Sequence, residues 1–144
     1  MANLIASRTG QPVMEAEFIF NFDDTMVNVA GAEVDFGKED IASAAFDIIN
    51  LPKNAVIVGG EVVTDTAFDT AGYDITIGDA TTANRYLAST DVKALGRTAL
   101  VPTGYRTAGA PLRLTRVSDD VCTTGKMTVR VLYITEGRGT DVNP

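Results

Sequence analysis

Chemistry in a small protein starts from a nucleophile, an acid–base pair or a cage of metal ligands, and this chain offers few candidates for any of them. Its one cysteine, Cys122, is the only thiol. A thiol becomes a useful nucleophile when a base or a cation draws off its proton, and the sequence contains no histidine. Cys122 therefore reads as a small buried or half-buried apolar group. The same lack removes Ser-His-Asp and Cys-His arrangements and the commonest zinc ligand. Adjacent carboxylates occur at Asp23-Asp24, Glu39-Asp40 and Asp119-Asp120. Neighbours on a strand point to opposite faces, and turn aspartates are solvated, so none of these pairs makes an acid–base dyad by itself. A glycosidase pair, with carboxylates about 5–9 Å apart, would have to be assembled from distant positions. No aspartate pair lies in an EF-hand spacing. Thr124-Gly125-Lys126 ends like a phosphate loop, but the upstream glycine is missing and Met127 stands where a hydroxyl is needed. Gly59-Gly60 lacks the spacing of a dinucleotide fingerprint. Asp35-Phe36-Gly37 copies a kinase triplet without the accompanying loops. The sequence thus predicts no catalytic residue, no cofactor and no metal, and no enzyme activity.

The elements that would hold any site are extended. Residues 46–68, FDIINLPKNAVIVGGEVVTDTAF, place Ile48, Ile49, Val56, Ile57, Val58, Val62 and Val63 on either side of a Leu-Pro-Lys-Asn corner. Branching at Cβ favours a pleated surface over a helix. Pro52 removes a ladder donor and Asn54 tolerates turn backbone, so the chain is expected to bend there. Gly59-Gly60 inside the second run signals a bulge or a close backbone approach. The stretch reads as two core strands of a β-sandwich.

The flanks follow the same pattern. In residues 14–22, Ala16, Phe18, Phe20 and Phe22 alternate with Glu15, Glu17 and Asn21, the period of a half-buried strand. Asp23-Asp24-Thr25 is a turn, and 26–30 resume an extended pattern with Val27 and Val29 on one face. Residues 31–43 are irregular. Tyr73, Ile75 and Ile77 mark a further strand. Residues 80–96 are the one plausible helical stretch, no more than a turn or two inside a long connection. A short strand is expected over 98–101, another around Leu112 and Leu114, and a last one over 126–134 with Met127, Val129, Val131 and Tyr133 inward. About eight short strands between turn signals predict an all-β, single-domain β-sandwich or jelly roll. The expected division is a flexible N-terminal arm over 1–13, a sandwich over 14–134 and a polar tail over 135–144.

Composition narrows the partners. The formal net charge is −7, with a pI near 4.4, which disfavours a phosphate backbone as partner. Arg97, Arg106, Arg113, Arg116 and Arg130 are scattered through the second half and read as solvated. No apolar run approaches the roughly 20 residues of a membrane helix, and MANLIASRTGQPV lacks the basic start and apolar core of a secretory signal. Neither nucleic acid nor membrane is an expected partner. Aromatics make up 7% with no tryptophan, against an aromatic-lined glycan or nucleobase platform. Phe18, Phe20, Phe22 and Phe46 read as core.

FDIINLPKNAVIVGGEVVTDTAFD, followed by ITIGDATTANRYLASTDVKALGRTALVPTGY, resembles the head-decoration or cement proteins of tailed bacteriophages. The likeness runs from Phe46 to about Tyr105, and the closing strand fits the same plan; the arm has no counterpart in it. The resemblance implies a jelly-roll-like virion protein, made in the host bacterial cytoplasm, that sits on the capsid exterior as a homo-oligomer, dimer or trimer, and bridges copies of the major capsid protein. Contact residues expected on this reading are Leu4, Ile5 and Arg8 in the arm, Tyr86, the loop residue Tyr105, and the apolar strand-end residues Leu132 and Ile134. The connections 31–43 and 78–97 are expected to contribute. Rival readings are a tail or fibre module, which would adjoin a repetitive shaft, and a glycan-binding or hydrolytic sandwich, which would need a cleft lined by aromatics or convergent carboxylates.

Overall fold

A computed structural model describes residues 12–38 and 43–135. Ten strands account for the regular structure among them. They are β1 (Met14–Asn21), β2 (Thr25–Val27), β3 (Glu33–Asp35), β4 (Ala44–Ile49), β5 (Ala55–Thr66), β6 (Tyr73–Gly78), β7 (Leu87–Asp91), β8 (Gly96–Ala99), β9 (Leu112–Ser118) and β10 (Lys126–Thr135). One four-stranded sheet has the order β1-β10-β5-β8, a second has β4-β9-β6-β7, and β2-β3 form a separate pair. Every pairing is antiparallel. With β2-β3 set aside, the first strand pairs the last, β4 pairs β9, β5 pairs β8 and β6 pairs β7. A single long hairpin wrapped over itself into two sheets is the jelly roll. The predicted all-β sandwich is the fold observed.

The corner and the bulge explain how the central stretch crosses between sheets. β4 lies in one sheet and β5 in the other. Between them Asn54 takes a left-handed backbone, φ +69°, and donates its N–H to Thr107 O at 2.8 Å. On β5 the register with β10 slips between Leu132 and Tyr133, leaving Val58 as the extra residue. Gly60, at φ +149°, sits where an added Cβ would lie 2.5 Å from Arg130 O. The glycine pair thus marks both a bulge and a close approach.

The core is the space between the sheets. Phe20, Phe36 and Phe46 stack in a column with ring centroids 4.3 Å apart at each step, and Phe68 stacks on Tyr73 at 4.0 Å. Met127, Val129 and Val131 are fully buried on β10, with Leu112 and Leu114 opposite on β9. Cys122 is buried among them, as its type suggested.

Three local expectations are corrected. Residues 80–96 contain no helix; Asp79 Oδ1 accepts the N–H groups of Thr81 and Thr82, an Asx turn that starts the connection, and β7 follows. Val27 and Val29 are both exposed, and the half-buried residue of β2 is Met26. The short strand β8 begins at Gly96, two residues before the predicted start. Arg116 is fully buried on the inward face of β9, where its Nη2 donates to Asp35 O at 2.8 Å. The guanidinium ties the β2-β3 pair to the sandwich, which composition alone reads as a solvated charge. The Asp35-Phe36-Gly37 triplet has the same structural job: Asp35 Oδ1 accepts from Gly37 N, and Tyr73 donates its hydroxyl to Phe36 O. Glu39-Asp40, most of the N-terminal arm and nearly all of the tail lie outside the described residues.

Candidate interaction surface

The outer face of the β1-β10-β5-β8 sheet divides along the strands into a charged half and an apolar end. Strand alternation and the registers set its rows. In one row Glu17, Arg130, Glu61 and Ala99 lie side by side. Arg130 reaches Glu15 at 3.2 Å, Glu17 at 3.0 Å and Glu61 at 3.5 Å, while Arg97 Nε lies 3.0 Å from Glu61. The hydrogen bond to Glu17, with the neighbouring carboxylates, raises the Arg130 pKa further. This half is a paired, solvated network, and exposed pairs of that kind contribute little to stability.

Toward the end of β10 that leads to Thr135 the face turns apolar. Glu15, Leu132 and Gly59 form the next row, and Ile134 pairs with Val56 beyond it. Leu132 and Ile134 are half-buried, as expected for strand ends that lack full cover. Alternation places Val13 beside Ile134 and carries Val101 onto the same face as Ala99. Val13, Val58 and Val101 are 54%, 41% and 62% exposed. Five aliphatic side chains on one end of a sheet face are a surface whose contact with water is unfavourable.

Two other expected contact residues are placed differently. Tyr105 is half-buried, and the Arg85 guanidinium lies 3.5 Å from its ring centroid. One ring face is thus covered by a cation–π contact. Arg85 Nε also binds Asp79 Oδ2 at 2.7 Å. Burial works against ionised Asp79, but hydrogen bonds from Arg85 and Thr82 outweigh it and hold the carboxyl below its ordinary range. Tyr86 is a correction. It is 1% exposed, its ring belongs to the core, and its hydroxyl has no hydrogen-bond partner in the structure. Burial pushes its pKa up. A tyrosine beside an arginine in a polar connection looks exposed in sequence, and only the clipping of Tyr86 N to Ile77 O and of Val101 N to Tyr86 O shows it folded inward. Leu4, Ile5 and Arg8 lie outside the described residues.

Among the described residues, no group of three or more His, Cys, Asp or Glu converges on a metal position. Burial raises the Cys122 pKa, the opposite of activation. Asp24 caps the backbone of Asn21, and Asp120 Oδ1 takes Val121 N. No helix among the described residues is long and apolar enough to cross a membrane.

No protein-family model and no curated protein matches the chain. Solved structures do. A chain of the cyanophage Pam1 capsid asymmetric unit aligns with 92% of this chain and 90% of its own length, at TM-score 0.56 and 16% identity. This chain has the fold of phage capsid components. A chain of the Ralstonia phage GP4 capsid aligns over 94% and 91%, at 0.51 and 14%, and one from the acid-stable capsid of Helicobacter pylori bacteriophage KHP30 over 83% and 92%, at 0.51 and 16%. The overlap spans at least 83% of both partners each time, so the likeness is of the sandwich rather than of one hairpin.

Proposed function

We propose that this chain is a virion structural protein that decorates the exterior of a bacteriophage capsid and stabilises it by bridging subunits of the major capsid protein. The observation that carries the reading is the match, over 83–94% of this chain, to chains of three phage capsid structures. The apolar end of the outer sheet face, with Leu132 and Ile134 at its centre, supports a protein that works by lying against other proteins. A net charge of −7 suits a position away from packaged DNA.

The physical mechanism is burial of apolar area at many weak sites. A standard interface of about 800 Å² per partner, a little over half of it apolar, gains roughly 20 kcal/mol at about 25 cal/mol per Å², before an association cost of about 4–15 kcal/mol and the ordering and desolvation losses that leave some interfaces of this size only micromolar. One copy touching two or more capsid subunits converts the later contacts into intramolecular ones, and avidity supplies the rest.

Electron microscopy of purified phage particles tests this. Density fitted by the sandwich on the outer capsid surface, at positions between subunits, is the expected result. Particles in which the chain is absent, or lies in the tail, refute it. The double variant Leu132→Asp/Ile134→Asp is expected to lower capsid occupancy at least tenfold while keeping the β-sheet spectrum of the free protein; unchanged occupancy would move the contact surface elsewhere.

A further inference from the structure

The connection from β8 to β9 is fastened at both ends and held at its middle by one side-chain stack. Leu100 N donates to Gly60 O at 3.0 Å, and Val101 N donates to Tyr86 O at 2.8 Å. At the far end Arg106 bridges Val56, and Thr107 N donates to Ala55 O at 2.9 Å. Between these fastenings, residues 102–105 make no backbone hydrogen bond to another element among the described residues. Tyr105 N donates only within the loop, to Thr103 Oγ1 at 3.4 Å. Val101, Pro102, Thr103 and Gly104 are exposed. Few contacts and an uncovered backbone make for a mobile span. Yet Tyr105 is half-buried, with Arg85 Cζ 3.5 Å from its ring centroid. The arginine is itself immobilised. Its Nε donates to Asp79 Oδ2 at 2.7 Å and its Nη2 to Thr82 Oγ1 at 3.2 Å. Asp79 is 5% exposed and also takes the N–H groups of Thr81 and Thr82. A desolvated guanidinium held in one orientation makes a stronger cation–π contact than a solvated one.

We propose that Arg85 is a positioning residue for the contact surface: clamped by Asp79, it holds the Tyr105 ring and so fixes residues 101–105 in one shape beside the apolar sheet end, where they meet a subunit of the major capsid protein. The partner in this inference rests on the capsid reading; the ordering of the loop does not. The loop borders that surface by register. Arg106 bridges Val56, the residue that pairs with Ile134. Val101, 62% exposed, continues the outward face of Ala99. A loop ordered before it binds gives up little conformational freedom on docking, so the fixed loop binds more tightly than the same residues in motion. The clamp is separable from the fold. The Tyr105 ring lies outside the core cluster, and its removal leaves both the packing between the sheets and the Asp79–Arg85 pair in place.

Backbone nitrogen relaxation of the free, full chain tests the clamp without any capsid. Order parameters at Thr103 and Gly104 are expected near about 0.85 in the wild type and in Tyr105→Phe, which keeps the ring, and below about 0.6 in Tyr105→Leu. Arg85→Gln is expected to loosen the same two residues. Tyr105→Leu is expected to keep the wild-type melting temperature, so a merely structural role for the ring would show as the opposite pattern, a lower melting temperature with a rigid loop. Phage particles prepared without this chain then report binding. Tyr105→Leu is expected to bind them at least about tenfold more weakly, and Tyr105→Phe as the wild type does. Order parameters unchanged by Tyr105→Leu, or a loosened loop that binds particles as tightly as before, overturns the proposal. Wild-type protein that binds no particles refutes the capsid reading, and the docking half of this inference with it, while the relaxation measurement still decides the clamp.

Discussion

Two adjacent glycines on β5 are expected to respond in opposite directions to the same added methyl group. At Gly60 the backbone lies at φ +149°, and a Cβ there would stand 2.5 Å from Arg130 O, 2.9 Å from Leu100 Cδ1 and 3.1 Å from Val131 Cα. Two of those three atoms are main chain of the central strand β10 and cannot rotate away. The backbone conformation costs about 1–3 kcal/mol for a residue with a side chain, and overpacking a well-filled site costs about 1–3 kcal/mol more. Gly60→Ala is therefore expected to lose about 2–6 kcal/mol of a total that for natural domains is about 5–15 kcal/mol. At about 2–4 °C per kcal/mol for a domain of this size, the melting temperature falls by roughly 4–24 °C. At Gly59 the nearest atom to a new Cβ is Leu132 Cδ1 at 3.5 Å, an ordinary contact with the tip of a flexible side chain. Gly59 also lacks the positive φ of its neighbour. Gly59→Ala is expected to be neutral or to stabilise by about 0.4–1 kcal/mol through the unfolded chain. Thermal melts of the two variants followed by circular dichroism decide the matter. Equal transitions, or a Gly60→Ala loss below about 3 °C, would refute the claim that the bulge forces β5 against β10.

Asp69 and Tyr86 give two further expectations. Asp69 accepts bonds from the Thr123 hydroxyl, Thr123 N and Thr124 N, which lower its pKa from 3.8 to about 2. A depressed carboxyl contributes stability that is present above the unfolded pKa and lost as pH falls through the folded one. The melting-temperature gap between wild type and Asp69→Asn is thus expected at pH 6, to shrink from about pH 4 downward, and to vanish near pH 2; a gap independent of pH contradicts this. Tyr86→Phe removes a buried hydroxyl that has no partner, and an unsatisfied buried group costs about 1–3 kcal/mol. The variant is expected to melt at or above the wild-type temperature and to bind capsids unchanged; lower stability would show that the hydroxyl is satisfied.

Much of the fold was legible because the β-strand period is short and local. Phe18 and Phe20 against Glu17 and Asn21, or Met127, Val129 and Val131 on β10, declare their faces through alternation alone. The Pro52–Asn54 corner and the Gly59-Gly60 irregularity were legible for a different reason: each residue type is restricted to few backbone states. What failed depended on distant partners. Arg116 carries no mark distinguishing it from Arg113; the first is buried because β3 places Asp35 O over it, the second is paired with Asp47 at the surface. Tyr86 and the absent helix over 80–96 failed together, since the backbone clips to Ile77 and Val101 that draw this connection inward link residues far apart in sequence. Leu132 and Ile134 were recognisable as apolar on the wrong face, yet their meeting with Val58 and Val101 needed the bulge and the β5-β8 register.

The two outer faces of the sandwich are unlike, and the difference bears on which side meets a partner. On the β4-β9-β6-β7 sheet the outward rows run Asp47 to Arg113, then Ala45, Thr115 and Thr76, then Val117 and Asp74. Arg113 and Asp47 close a pair at 2.9 Å, and threonine fills the middle of the face. Such a surface hydrates well and gains little from being covered. The β1-β10-β5-β8 sheet confines its charges to the Arg130 network and leaves five aliphatic residues together at the end where β10 finishes. That end also carries Val13, where the N-terminal residues enter β1. Pairing the first strand with the last forces this coincidence, because a jelly roll brings the start of β1 and the finish of β10 to the same edge. Covering that end of the sheet would leave the core between the sheets undisturbed. Substitutions on the Arg113 side are accordingly expected to leave assembly unchanged, and those around Leu132 to abolish it.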